Sequence, residues 1–118
     1  MARGAYRPVD ERRDAVGRFN LGVLLEDRGD LAAAERAYRQ ADSRGHSAAA
    51  VNLGVLLEQR GNHADAERAY RRAQRRGDSN GSFNLGIMLE EHGDLRGAER
   101  AYRHADRSIQ RVLQLLTA

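Results

Sequence analysis

One feature dominates what this chain can fold into: the sequence repeats itself at a fixed interval. Asn20-Leu21-Gly22 returns as Asn52-Leu53-Gly54 and again as Asn84-Leu85-Gly86. The run Ala34-Glu35-Arg36-Ala37-Tyr38-Arg39 returns at Ala66 to Arg71 and at Ala98 to Arg103. Both motifs step by 32 residues, a period that belongs to stacked helical hairpins. A single hairpin of this size cannot bury its own apolar face. Three copies stacked side by side can, each stabilised mainly by its neighbours.

Each copy divides at a glycine followed by a capping residue: Arg28-Gly29-Asp30, Arg60-Gly61-Asn62 and His92-Gly93-Asp94. Glycine ends a helix in the left-handed conformation, and Asp or Asn then accepts a backbone N–H bond to begin the next helix. A second glycine, Gly45 or Gly77, closes the second helix, with His46-Ser47 or Asp78-Ser79 opening the following repeat. The pattern predicts helices near 10–27, 31–44, 47–59, 63–76, 79–91 and 95–107. Ile109 stands where the third closing glycine should be, so the sixth helix is expected to run on, straight or kinked, to about residue 116. The fold class read from this is all-α, a right-handed α-solenoid of three helix-turn-helix repeats (about 15–46, 47–78 and 79–110) with a C-terminal helical cap at about 109–118. All of it lies within one repeat domain, 1–118.

The second helix carries a one-sided apolar stripe, Leu31, Ala34, Ala37, Tyr38 and Ala41. Its other side holds Glu35, Arg36, Arg39 and Asp42, with Glu35–Arg39, Glu67–Arg71 and Glu99–Arg103 spaced four apart in the favourable order. That places Arg72 and Asp42 on a solvated outer face, where Arg72→Ala is expected to be nearly neutral. The first helix is apolar on two sides: Leu21, Gly22 and Leu25 on one, Val16, Phe19 and Val23 on the other.

These residues resemble the tetratricopeptide repeat superfamily from about Ala15 to about Ile109. The Leu-Gly of the first helix, the glycine turn, and Ala34, Tyr38 and Ala41 of the second match its small-and-large packing pattern. The connector from Ala41 through Gly45 to Gly54 is similar to the related Sel-like repeat. The resemblance implies that Gly22, Gly54 and Gly86 meet Tyr38, Tyr70 and Tyr102 where the helices of a hairpin approach. It also implies a concave face built from the first helices.

Composition removes whole classes of chemistry. There is no cysteine, hence no disulfide framework, thiolate nucleophile or thiolate metal site. His46, His63, His92 and His104 occupy different repeat positions and none stands three or four residues from another, so they read as surface residues rather than metal ligands. No Ser-His-Asp set, phosphate-binding glycine loop or HExxH helix occurs. Neither enzyme activity nor a cofactor is expected. No apolar run is long enough to span a bilayer, and the start lacks a secretory leader, which makes the cytoplasm the expected location. The formal charge is +3, from 20 basic and 17 acidic side chains. Every basic one is arginine, a bias of GC-rich, typically bacterial, coding. Acids interleave with the arginines of the second helices and the tyrosines belong to the core, which argues against nucleic acid as the partner.

The candidate binding face is therefore the concave one. Phe19, Asn20, Val23 and Glu26, with Val51, Asn52, Val55 and Glu58, and Phe83, Asn84, Ile87 and Glu90, recur there in register. An apolar floor with an acidic border (Asp27 and Glu91 adding to it) suits a protein or peptide segment that is apolar with basic flanks. Asparagine offers such a segment both a donor and an acceptor, and the same amides could equally tie adjacent first helices together. Superfamily members that clamp a C-terminal carboxylate use Lys and Arg in this groove, whereas here stand Phe, Val, Ile and Glu, so that activity is not expected. The competing expectation is a homo-oligomer formed through the tail, where Ile109, Val112, Leu113 and Leu116 share one helical face.

Overall fold

The computed structural model describes residues 8–117, with side chains placed for 12–111 and 113–117. Six helices follow one another: α1 Pro8–Asp27, α2 Leu31–Ser43, α3 Ser47–Gln59, α4 His63–Arg75, α5 Ser79–Glu91 and α6 Leu95–Thr117. The expected boundaries hold to within two residues, and α6 is continuous through Ile109 into the tail. Residues 1–7 and 118, part of the expected domain, lie outside the described residues.

The breaks form as glycine chemistry requires. Gly29, Gly45, Gly61, Gly77 and Gly93 all have φ between 79° and 87°, a region costly to any residue with a Cβ. Around each, the next backbone N–H reaches back to an orphan carbonyl of the last turn, as in Asp30 N to Leu25 O at 2.9 Å and Asn62 N to Leu57 O at 2.8 Å. Asp30, Asp78 and Asp94 cap the following helices through their carboxylates. His46 caps α3 through Nδ1, which accepts from the Ala49 N–H at 3.1 Å. Asn62 departs from expectation. Its Nδ2 donates to Asp65 at 3.0 Å and it makes no side-chain capping bond, because a carboxylate one turn along the helix competes for the amide.

Consecutive helices pack antiparallel, and α3 also touches α5, whereas no two second helices approach as closely. α3 and α5 thus lie on the tighter, inner side of a curved stack. The radius of gyration is 15.9 Å against about 13.5 Å for a compact chain of this length, as an open solenoid requires.

The core is a repeated joint. Tyr38 and Tyr70 are fully buried, their rings lying against Gly22 and Gly54. A Cβ added at Gly22 would come within 2.5 Å of Tyr38 Cε1, one at Gly86 within 2.5 Å of Tyr102 Cε1, and one at Gly54 would strike the Tyr70 ring. Leu53, Leu56, Leu57, Leu85 and Met88 fill the space between joints.

The outer face is not uniformly solvated. Asp42 is 4% exposed and is held from the next repeat by two guanidinium groups. Arg72 Nη2 and Nε lie 2.7 and 2.8 Å from its Oδ2, Arg76 Nη1 lies 2.8 Å from Oδ1, and Arg76 Nη2 donates to the Asp42 carbonyl at 3.0 Å. The expectation that Asp42 and Arg72 are indifferent surface residues is corrected here: helix phase gives the side they occupy, but not the neighbouring helix that covers it.

Candidate functional site

The inner face of α1, α3 and α5 presents the twelve groove candidates in unequal measure. Phe83 is 52% and Ile87 36% exposed, and Glu90 on the same helix and Asn20 on α1 are exposed as well. Val23 and Val55 are half-buried against the core, as is Phe19, whose ring stacks on His46 at 4.6 Å between centroids. Val51 is buried with Ala50 and Ala73, so it supplies packing rather than surface. Phe83 holds the same repeat position as Val51 but is larger, and no first helix follows α5 among the described residues. Its ring leans on Tyr102 at 5.7 Å and leaves one side open.

Val55, Glu58, Asn84 and Ile87 come together with Gln59 and Tyr70 around a shallow pocket of about 230 Å³. Gln59 and Tyr70 were not among the sequence candidates. The tyrosine hydroxyls explain the acidic border. Tyr38 donates to Glu26 at 2.7 Å, Tyr70 to Glu58 at 2.5 Å and Tyr102 to Glu90 at 2.8 Å. The constant spacing of twelve between acid and phenol was legible in all three copies, but an ion border and a buried hydrogen-bond partner look alike in one dimension.

This bond fixes each glutamate's orientation while leaving its charge at the groove. Its counterpart is a phenol reluctant to ionise. Burial, reinforced by the Glu26 carboxylate, pushes Tyr38 up to about 12, with the facing Asn52 side chain opposing the rise. Tyr70 is raised by the same causes, with Glu58 as its acceptor, and Tyr102 chiefly by its bond to Glu90. Among the described residues the Asn20 and Asn84 amides have no side-chain hydrogen bond.

The tail candidates lie along the overrun of α6. Ile109 is 49%, Leu113 47% and Leu116 77% exposed, while the side chain of Val112 lies outside the described residues. The histidines do not converge on a metal. His63 and His92 meet edge to face at 5.3 Å, His104 Nδ1 lies 3.3 Å from Ser82 Oγ, and no group of three metal-ligating side chains occurs among the described residues. Nor, among them, is any helix long and apolar enough to cross a membrane.

A family model described as tetratricopeptide repeat matches residues 19–81 and, overlapping, 51–110. No curated protein matches the chain. Among solved structures the crystal structure of MamA superposes with a TM-score of 0.74 at 20% identity, covering 87% of this chain. The chain spans 63% of MamA's length.

Proposed function

Because the chain belongs to the tetratricopeptide repeat family, whose members serve as protein-interaction scaffolds, we propose that its inner face holds a peptide or helix of a partner protein. The occupant is an apolar segment with Arg or Lys at its flanks. The observation that carries this reading is the pocket of Val55, Glu58, Gln59, Tyr70, Asn84 and Ile87, with the open ring of Phe83 on the same face. Apolar surface at the centre and oriented carboxylates at the border is the arrangement of an interface with a dry core and a polar rim. The free Asn84 amide is placed to take a backbone N–H or C=O of the bound segment.

Selection of displayed peptides against the protein tests this. Enriched sequences should join an apolar centre to basic flanks, should fail to bind Asn84→Ala/Ile87→Glu, and should still bind Arg36→Ala/Arg68→Ala on the outer face. Peptides that ignore the inner-face variant and are lost with the arginines would refute it.

A second reading rests on the tail. Ile109, Leu113, Leu115 and Leu116 are exposed along the last turns of α6, and apolar surface at the end of a stack favours docking on another copy. Light scattering across concentration should then show a dimer or larger species that Leu113→Glu/Leu116→Glu returns to monomer.

A further inference from the structure

The two grooves between successive second helices are built from equivalent positions and differ in charge. Between α2 and α4 the chain supplies its own acids: Asp42, held by Arg72 and Arg76, and Asp65, whose Oδ2 lies 3.8 Å from Arg39. One repeat on, the position of Asp42 is Gln74, that of Asp65 is Gly97, and that of Arg39 is Arg71. Both groove carboxylates are gone. The cleft between α4 and α6 has a volume of about 420 Å³. It is floored by Leu85, Leu89 and Ala101 and edged by Arg71, Arg100, Arg103, His104 and Arg107, with no acidic side chain in its lining. Arg71 and Arg103 are tied to Glu67 and Glu99 on their own helices at 3.0 and 2.6 Å. Arg100 and Arg107 form no ion pair among the described residues.

We infer that this outer cleft is a second interaction site and takes an acidic peptide segment of a partner, an Asp or Glu side chain entering among Arg71, Arg100 and Arg107. The contact differs from that made by Asp42, because His104 and Ser108 stand here where Arg72 and Arg76 hold it. Guanidinium groups gathered around an apolar floor favour a carboxylate that can accept two of their hydrogen bonds at once. A peptide is favoured over single-stranded nucleic acid because no Phe, Tyr or Trp ring lines the cleft to stack a base. This site lies on the face opposite the inner groove and takes a ligand of opposite charge, so the two readings stand or fall separately.

The test is fluorescence anisotropy with a fluorescein-labelled synthetic peptide of alternating Asp, Glu and Leu, beside its Asn and Gln analogue and a single-stranded oligonucleotide of the same length. The acidic peptide should bind and the amide analogue should not. Arg100→Ala/Arg107→Ala should weaken binding by about tenfold or more, and so should Gln74→Asp, which restores an acid to the groove. Arg36→Ala, the equivalent of Arg100 in α2, should leave binding unchanged, as should Asn84→Ala/Ile87→Glu on the inner face. Circular dichroism of each variant should match the parent. Failure of the acidic peptide to bind at about 1 mM would overturn the assignment. So would equal binding of the amide analogue, indifference to the arginine pair, or tighter binding of the oligonucleotide lost in the same variants.

Discussion

Asp42 with Arg72 and Arg76 allows a prediction whose sign depends on which partner is removed. Arg72→Met/Arg76→Met keeps the aliphatic cover over Asp42 and costs little in helix propensity, but leaves a carboxylate that is 4% exposed with no counter-charge. Breaking a buried pair in this way costs about 3 to 5 kcal/mol. The lower figure applies here, because the arginine side chains are 32% and 27% exposed and water reaches the rim of the site. Asp42→Ala leaves two guanidinium groups that can swing into solvent, at a cost of about 1 kcal/mol. Adding Asp42→Ala to the methionine pair should therefore restore about 2 kcal/mol, since it deletes the stranded charge. Urea unfolding of the four proteins, with m-values held constant, measures each term. If the third substitution lowers stability further, or if the methionine pair costs no more than Asp42→Ala, then Asp42 is effectively hydrated and the reasoning fails.

Glycine to alanine should act with opposite sign at two places: Gly54→Ala drives a methyl into the Tyr70 ring and should cost about 1 to 3 kcal/mol. Gly17→Ala, with nothing within 4 Å, should stabilise α1 by about 0.5 to 1 kcal/mol, both read from denaturant midpoints. At high pH the raised tyrosines should limit stability. Their unfolded-state value is 10.0 and that of folded Tyr38 about 12, so stability present below pH 10 is lost as pH rises through this window, and Tyr38→Phe should flatten the loss seen in pH-dependent unfolding. His46 has the opposite sense. Burial holds its pKa below 6.5, so its contribution is complete above that value and lost as pH falls below it; His46→Ala should remove this acid-side slope in thermal melts.

The helices were legible because each boundary is set by residues adjacent in sequence, with Gly29, Gly61 and Gly93 doing in space what they announce in one dimension. The tyrosine-glycine joint was legible for a related reason, since both partners recur at one spacing and lie within one hairpin. Asp42 was misplaced because its burial is decided by Arg72 and Arg76 in the next repeat, and helix phase carries no record of that neighbour. The groove was legible as a face but not as a surface. Val51 and Phe83 share a repeat position, yet one is covered and the other open, a difference set by side-chain size and by place in the stack.

The positive-φ glycines fall at 29, 45, 61, 77 and 93, one every sixteen residues, so first and second helices from α2 to α5 have equal length. Unequal crossing-over between two copies of the coding sequence would therefore rejoin the chain in register whenever it adds or removes 32 residues, wherever the cut falls, because each tyrosine still finds a glycine. A slip of sixteen would keep every helix length and yet set first helix against first helix, leaving tyrosines without glycines to receive them. Array length is thus free to change by whole repeats and barred from changing by halves. Loss of residues 47–78 would close the stack again with Asp42 facing His104 and Ser108, a shorter array with its buried acid unmatched.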